Sequence, residues 1–207
     1  MSDNYTVVSL FCGAGGMDLG FKQAGFNILW ANDFDEDATI TYKNNIGNHV
    51  VLGDIYQIDS GEIPNNPDVI IGGFPCQDYS VAHSLSSSHG IEGKKGVLWW
   101  QINEILSAKK PPFVLLENVD RLVKSPAKQR GRDFGIMLRC VLEQGYAMEW
   151  RIINAADYGY AQRRRRIYIF AYHKSTNYYK SLKKLSPFDI ISKKGIFASE
   201  FPIENFD

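Results

Sequence analysis

The chain has 207 residues, of which 44% are apolar, and this is enough for one α/β domain with a sizeable core. Its formal net charge at pH 7 is zero, so a globally basic surface is excluded and any nucleic-acid-binding patch must be local. The three cysteines are widely separated, which excludes a CxxC zinc knuckle and a disulfide framework and suits a reducing cytoplasm. Neither a signal peptide nor an apolar run of about 18 residues is found.

Strand-like and helix-like segments alternate along the first two thirds of the chain. The strand-like segments are Tyr5–Phe11, Phe26–Ala31, Val50–Leu52, Asp68–Ile71, Phe113–Glu117, Ala147–Asn154 and Arg166–Tyr172. The helix-like segments are Met17–Ala24, Asp35–Asn45, Val97–Ala108 and Arg132–Gln144. This alternation predicts an α/β fold with a doubly wound, mostly parallel sheet.

Two regions depart from the alternation. Residues 78–95 are rich in Ser, Gly and His and are predicted to form a loop, and loops longer than about 12–15 residues in a compact domain are usually functional or disordered. After Tyr172 the chain becomes irregular and rich in lysine. We therefore expect a cofactor-binding and catalytic domain over residues 1–173 and a tail of uncertain structure over residues 174–207.

A glycine-rich turn, FCGAGG at residues 11–16, joins the first strand to the first helix. Asp33 follows the second strand at about the distance at which an acid binds ribose hydroxyls, and Asp54 and Ile55 follow the third strand. The spacing is not GxGxxG and no Walker lysine follows, so S-adenosylmethionine fits better than a dinucleotide or a nucleoside triphosphate. An ordinary tight turn with surface acids is the alternative.

Cys76 follows the fourth strand at the same edge of the sheet. Pro75 fixes its own φ and restricts Phe74, so the thiol is held on a rigid segment and is a candidate nucleophile. Taken alone, Cys76 fits a small buried apolar side chain equally well, and we prefer that interpretation for Cys12 and Cys140.

Glu117 ends the strand FVLLE, which we expect to neighbour the fourth strand, and it would then lie beside Cys76 over one crevice. Four consecutive arginines, residues 163–166, open the last strand. Because alternate side chains of an extended strand point to opposite faces, we expect Arg164 and Arg166 on one face and Arg163 and Arg165 on the other. A solvated face or a phosphate-binding patch is the alternative for this run.

Six motifs in this order resemble the cytosine-C5 DNA methyltransferases of the bacterial modification type. They are FCGAGGMDLGF, the acid in ANDFDEDA, GDI, GGFPCQDYS, ENV and NAADYGYAQRRRRIYIFA, and they span most of residues 7–172. The resemblance implies the Rossmann-like fold of S-adenosylmethionine-dependent methyltransferases. It also implies a cytoplasmic DNA (cytosine-5)-methyltransferase of a restriction-modification system that acts on double-stranded DNA without a metal ion.

The resemblance further implies roles for individual residues. Cys76 would be the nucleophile, with Glu117, Arg164 and Arg166 as further catalytic groups. Cofactor contacts are implied for Phe11, Gly13, Gly15, Gly16, Asp33, Phe34, Asp54, Ile55, Pro75 and Leu98. DNA contacts are expected from Gln77, Ser80, Lys94, Lys95, Asn118, Arg163 and Arg165, and the loop 78–95 is expected to close over a flipped cytosine.

The family continues after the arginine motif into a target-recognition region and a closing helix, for which the remaining residues are too few. A fragment, a natural truncation and a split enzyme with a second polypeptide would each explain this. All three predict weak or absent sequence-specific methylation by this chain alone. Methylation of RNA cytosine and a non-catalytic binding subunit are the alternatives, and the presence of Cys76, Glu117 and Arg166 argues against the second.

Overall fold

Seven strands form one sheet in the residues that the computed structural model describes, which are 5–74, 98–124 and 129–202. The strands are β1 (Thr6–Leu10), β2 (Asn27–Asp33), β3 (Val50–Leu52), β4 (Val69–Gly73), β5 (Phe113–Val119), β6 (Tyr146–Asn154) and β7 (Arg165–His173). Their order in the sheet is β3-β2-β1-β4-β5-β7-β6. Strand β7 is antiparallel to both β5 and β6, and the other pairs are parallel, so the predicted doubly wound, mostly parallel sheet is confirmed.

Helices cover both faces of the sheet. Helices α1 (Gly16–Gln23) and α2 (Glu36–Asn45) pack on one face, and α3 (Leu98–Lys109) and α4 (Arg132–Glu143) pack on the other. The largest core cluster lies under α3 and α4, where side chains from β1, β4, β5 and β7 are almost completely removed from water. Because parallel strands are buried on both faces, their sequences have apolar residues at consecutive positions.

The chain leaves the adjacent strands β1 and β4 in opposite directions across the sheet. From β1 it proceeds outward to β2 and β3, and from β4 it proceeds to β5 on the other side. In open α/β sheets, ligands bind at the carboxyl ends of the strands at such a point. The segments that follow β1, β2, β4 and β5 therefore converge on one crevice.

Two strand boundaries differ from the predicted ones in a way that matters for this crevice. Strand β1 ends at Leu10, because Phe11 has a φ of 53° and leaves the extended conformation. Strand β2 continues to Asp33, two residues beyond the predicted end, so the Asp33 carboxylate is held by the sheet itself. The predicted helix start at Val97 lies outside the described residues.

The described part of the tail is helical. It contains α5 (Asn177–Leu182), the short turn α6 (Pro187–Asp189) that continues as a π-helical turn (Ile190–Lys194), and α7 (Ile196–Glu200). The buried guanidinium of Arg151 on β6 donates hydrogen bonds to the carbonyl groups of Ile191 (2.6 Å), Phe197 and Phe201. This part of the tail is thus fixed to the sheet. Within the described ranges, no helix has the length and apolar character that crossing a membrane requires.

Candidate functional site

The glycine-rich turn after β1 has a backbone shape that only glycine can adopt at its centre. Gly15 caps α1 with a φ of 87°, and a Cβ atom placed on it would lie 2.8 Å from the Tyr42 ring and 2.7 Å from Ile46. Gly13 also has a positive φ, of 54°, but a Cβ atom there or on Gly16 would meet no atom within 4 Å. Gly15 is therefore packed against the protein, whereas Gly13 and Gly16 border open space that a ligand can occupy.

Asp33 ties this turn to the end of β2. Its Oδ2 accepts a hydrogen bond from the Gly13 backbone N–H at 2.7 Å, and its Oδ1 accepts one from the Asp35 N–H at 3.0 Å. The residue is 8% exposed. Each carboxylate oxygen can accept a second hydrogen bond, so ribose hydroxyl groups could still be bound here.

The residues predicted to surround an adenine lie next to Asp33. The Phe34 side chain is 67% exposed, which is unusual for a phenylalanine and leaves its ring free to stack. Asp54 is exposed in the turn after β3, whereas the Ile55 side chain is only 4% exposed and packs in the core. Leu98 is half-buried at the start of α3 and also packs against the core.

Asn32 is a residue of this site that the sequence analysis did not identify. Its side-chain amide donates hydrogen bonds to the carbonyl groups of Val51 (3.0 Å) and Gly53 (2.8 Å), so it holds the turn that carries Asp54 beside the end of β2. The residue is 1% exposed. An amide directly before Asp33 in an otherwise apolar strand was the available signal.

Glu117 lies at the same edge, on β5, opposite Gly73 at the end of β4. Its Oε1 is 2.9 Å from Nε of Arg166 and 3.7 Å from a terminal nitrogen of Arg164, and its Oε2 would lie 3.5 Å from a Cβ on Gly73. The Glu117 side chain is 17% exposed and that of Arg166 is 23% exposed. Glu117 is thus a largely buried carboxylate with two cationic partners, and it lies where β4 ends.

The other two arginines lie apart from this pair. Nε of Arg165 is 3.4 Å from the Asp120 carboxylate, and the Arg165 side chain is 60% exposed. Arg163 is exposed as well. Arg164 and Arg166 thus pair with Glu117 and Arg165 does not, but the extended strand expected over all four arginines begins only at Arg165, since the Arg164 N–H donates to the Gln162 carbonyl at 3.0 Å.

Asn118 fixes the chain where it leaves β4. Its side-chain amide donates a hydrogen bond to the Phe74 carbonyl at 3.0 Å, and its carbonyl accepts one from the Val119 N–H at 2.8 Å. Because Asn118 is only 2% exposed, the structure gives it a contact inside the protein. The expected DNA contact of Asn118 stays a prediction.

Six of the predicted site residues lie outside the described residues. They are Pro75, Cys76, Gln77, Ser80, Lys94 and Lys95.

The two described cysteines, Cys12 and Cys140, are half-buried free thiols. Burial raises the pKa of the Cys12 thiol, and the Asp18 and Asp33 carboxylates raise it further, so it stays protonated at neutral pH. Burial also raises the pKa of Cys140.

A family model described as "C-5 cytosine-specific DNA methylase" matches residues 5–203. The Type II methyltransferase M.Sau3AI of Staphylococcus aureus is 50% identical over 214 residues, which cover 97% of this chain and 51% of that protein. The Type II methyltransferase M.Bsp6I of Bacillus sp. (strain RFL6) is 38% identical over 175 residues, which cover 83% of this chain and 53% of that protein. The chain thus spans about half the length of these curated relatives.

A solved structure has the same fold at lower sequence identity. The crystal structure of a Spodoptera frugiperda DNMT2 mutant superposes with a TM-score of 0.66 and 20% identity, and the match covers 84% of this chain and 51% of that one. At this identity the likeness concerns the fold alone.

Proposed function

Because the chain belongs to the C-5 cytosine-specific DNA methylase family, we propose that it transfers a methyl group from S-adenosylmethionine to C5 of cytosine in DNA. The observation that carries this proposal is the position of Glu117. Its carboxylate is held by Arg164 and Arg166 beside the end of β4, at the edge that also carries the glycine-rich turn and Asp33.

The cofactor pocket we propose is formed by the segments after β1, β2 and β3. The open space beside Gly13 and Gly16 and the exposed ring of Phe34 fit a nucleoside without phosphate groups. When bound, S-adenosylmethionine would supply an activated methyl group. Asp33 would bind the ribose, Asp54 the adenine amino group, and Phe34 the adenine face. Phe11, Gly15, Ile55, Pro75 and Leu98 would complete the pocket.

The target carbon needs activation by a nucleophile, which we assign to Cys76. Cytosine C5 belongs to an aromatic ring and reacts poorly until a thiolate adds to C6. In the sequence Cys76 follows Phe74 by two positions, and two residues span at most about 7 Å. The Phe74 carbonyl is fixed by Asn118, which ties the start of this segment to β5 beside Glu117. After methylation, removal of the proton on C5 would break the bond between sulfur and C6 and release the thiolate.

Glu117 and the arginines would stabilise the negative charge that this addition creates on the base. As sulfur bonds to C6, electron density moves toward N3 and O2 of the ring. The Glu117 carboxyl group would carry the proton that hydrogen-bonds N3, and Arg166 would donate to O2. Arg164, at 3.7 Å from Glu117, would hold that carboxyl group in place.

The reacting base must leave the DNA stack to reach this crevice, which costs a few kcal/mol. The segment 78–95, which is expected to close over that base, lies outside the described residues, so this expectation stays a prediction. Phosphate or base contacts are assigned to Gln77, Ser80, Lys94, Lys95, Asn118, Arg163 and Arg165. Among these, Arg165 lies at the surface beside Asp120 and could exchange that partner for a phosphate.

The relatives support DNA rather than RNA as the substrate. M.Sau3AI and M.Bsp6I carry the name Type II methyltransferase, which supports a place in a restriction-modification system in the bacterial cytoplasm. We keep the division into a catalytic domain over residues 1–173 and a tail over residues 174–207 as part of this proposal.

A second polypeptide that supplies target recognition is supported by an uncovered groove on the sheet. Phe113, Leu115 and Phe170 are only half-buried on this face, although Val114 and Leu116 on the opposite face of β5 are at most 2% exposed. The groove has a volume of about 680 Å³ and an almost entirely apolar lining between α1 and α7. Because central strands of such sheets are normally covered on both faces, we propose that an apolar helix of that polypeptide lies here.

The test measures tritiated methyl transfer to duplex DNA, with and without a polypeptide that corresponds to the remaining half of the S. aureus relative. We expect radioactive 5-methylcytosine in DNA from the pair, little from the chain alone, and loss of the effect in Leu115→Glu. Leu142→Glu, on the exposed surface of α4, is the control for the groove. Methylation of RNA alone, of a cytosine amino group or of adenine would contradict the proposed reaction.

A further inference from the structure

Four polar side chains, three of them buried and the fourth, His49, half-buried, form a chain of hydrogen bonds beneath the glycine-rich turn. Oγ of Ser9 on β1 donates to Oδ2 of Asp18 at 2.9 Å, and the Tyr42 hydroxyl on α2 donates to Oδ1 of Asp18 at 2.8 Å. Nε2 of His49, in the segment before β3, is 2.9 Å from the same hydroxyl. Ser9, Asp18 and Tyr42 are at most 1% exposed. The chain thus connects β1, α1, α2 and the segment leading to β3.

The hydrogen bonds of this chain have a defined direction. The Tyr42 hydroxyl has one hydrogen atom, which it donates to Asp18, so it accepts a hydrogen bond from Nε2–H of His49. Burial lowers the pKa of His49, so the ring is neutral at pH 7 and carries its hydrogen on Nε2. Both Asp18 oxygens then have a hydroxyl donor. A buried carboxyl group with this set of partners holds the neighbouring elements in one arrangement.

Tyr42 also forms the surface on which the turn rests. Its ring lies so close to Gly15 that a Cβ atom there would be 2.8 Å away, and Cys12 packs against the cluster that contains Tyr42 and Ile46. Asp18 lies in the first turn of α1, which begins directly after Gly15. A change in the Tyr42–Asp18 pair therefore changes both the support of the turn and the orientation of the helix that follows it.

We propose that Ser9, Asp18, Tyr42 and His49 are positioning residues that hold the glycine-rich turn in the shape that binds the cofactor. None of them borders the open space beside Gly13 and Gly16, so they act through the turn. A turn that is already ordered loses less conformational entropy on binding and binds more tightly. This inference rests on the proposed function, because it takes the turn as the binding site of S-adenosylmethionine.

The test compares two tyrosine variants that undergo the same chemical change. Tyr42→Phe removes the central hydroxyl of the network. Tyr146→Phe removes an equally buried hydroxyl that donates to the Pro111 carbonyl at 2.7 Å, where β5 and β6 begin and far from the turn. Calorimetric titration with S-adenosylhomocysteine and urea unfolding are carried out on both variants and on the parent chain.

We expect both variants to lose similar stability, but only Tyr42→Phe to weaken S-adenosylhomocysteine binding, by about tenfold or about 1.4 kcal/mol. Ser9→Ala removes the other donor to Asp18 and should weaken binding by about threefold; it replaces Tyr42→Phe if that variant does not fold. Asp18→Asn, which retains an acceptor for Tyr42, should bind more tightly than Asp18→Ala. If Tyr42→Phe binds S-adenosylhomocysteine as tightly as the parent chain, the inference is wrong and the proposed function is unaffected. The same holds for Ser9→Ala where it replaces Tyr42→Phe. A parent chain that does not bind S-adenosylhomocysteine would overturn both.

Discussion

The Glu117 carboxylate and its partners are the strongest structural support for the proposed reaction. Arg166 lies 2.9 Å from it and Arg164 3.7 Å, whereas Arg165 points to Asp120. The alternation of side chains along an extended strand accounts for the opposite directions of Arg165 and Arg166, whereas Arg164 precedes β7 and reaches Glu117 from the turn before it. The pairing with Glu117 also required β7 to lie next to β5, and the sequence gives no direct sign of that contact.

Replacement of Glu117 by glutamine tests its proposed role as the group that donates a hydrogen bond to N3 of the cytosine. We expect Glu117→Gln to lower methyl transfer by about 100-fold or more, because an amide cannot deliver the proton. Binding of S-adenosylhomocysteine should be unchanged, since Glu117 lies beside β4 rather than at the glycine-rich turn. Titration calorimetry and a methyl-transfer assay measure the two quantities.

Glu143→Gln is the control for this variant. Glu143 is 61% exposed on α4, where it pairs with Arg139 at 2.8 Å. It should retain the parent activity. Parent-level activity in Glu117→Gln would contradict the assigned role.

Several polar residues of the site could not be identified from the sequence. Asn32 and Asp18 are buried and bond to residues 21 and 9 positions away along the chain, and Asn118, which was expected to contact DNA, bonds to a residue 44 positions away. Their partners depend on which strands are neighbours, and that information is absent from local patterns. Asp33 could be predicted because its position after the second strand follows a known spacing.

Gly15, which caps helix α1, and Gly20, inside it, should respond oppositely to alanine. At Gly15, a positive φ and the Tyr42 ring both oppose a Cβ atom, so Gly15→Ala should lower the free energy of unfolding by about 1–3 kcal/mol. At Gly20, inside the helix, a Cβ atom would meet nothing within 4 Å. Gly20→Ala should therefore raise stability by about 0.4–1 kcal/mol. Urea unfolding of the two variants measures the difference, and equal effects would contradict the described geometry of the turn.

The buried guanidinium of Arg151 anchors the end of the helical tail, beside a second anchor in which the Tyr178 hydroxyl donates to Glu149 on β6. Arg151→Met removes the donor to the carbonyl groups of Ile191, Phe197 and Phe201. We expect a loss of about 2–4 kcal/mol of stability and faster hydrogen exchange over residues 190–201, because buried acceptors are left without a partner. Arg139→Met, at an 80% exposed arginine, should change stability by less than about 1 kcal/mol. Unchanged exchange in the tail of Arg151→Met would refute this anchoring role.

The elements that could be predicted differ from those that could not in length and periodicity. The segment Arg132–Gln144 has apolar residues at helical spacing, and the structure has a helix over Arg132–Glu143. The tail helices have six residues or fewer and show no such spacing. Tertiary hydrogen bonds stabilise them, so local sequence carries little information about them.

The order of the strands brings together residues that are distant along the chain. The glycine-rich turn, Asp33 and Glu117 meet because β1, β2, β4 and β5 are parallel and end at one edge. Alternating strands and helices were sufficient to predict this part of the sheet. The insertion of β7 between β5 and β6 was not predicted, since antiparallel pairing of the last two strands is compatible with either order.

The central claim is that the Cys76 sulfur bonds to C6 of the target cytosine while Glu117 and Arg166 bind the base. The most direct measurement uses duplex DNA that contains 5-fluorocytosine, since the fluorine on C5 cannot leave as the proton does and the covalent adduct accumulates. The chain is incubated with this DNA, S-adenosylmethionine and the second polypeptide, and the adduct is mapped by mass spectrometry. The account predicts an adduct on the peptide that contains Cys76 and none in Cys76→Ser. An adduct on Cys12 or Cys140, or methylation of unmodified DNA at the parent rate by Cys76→Ser, would contradict it.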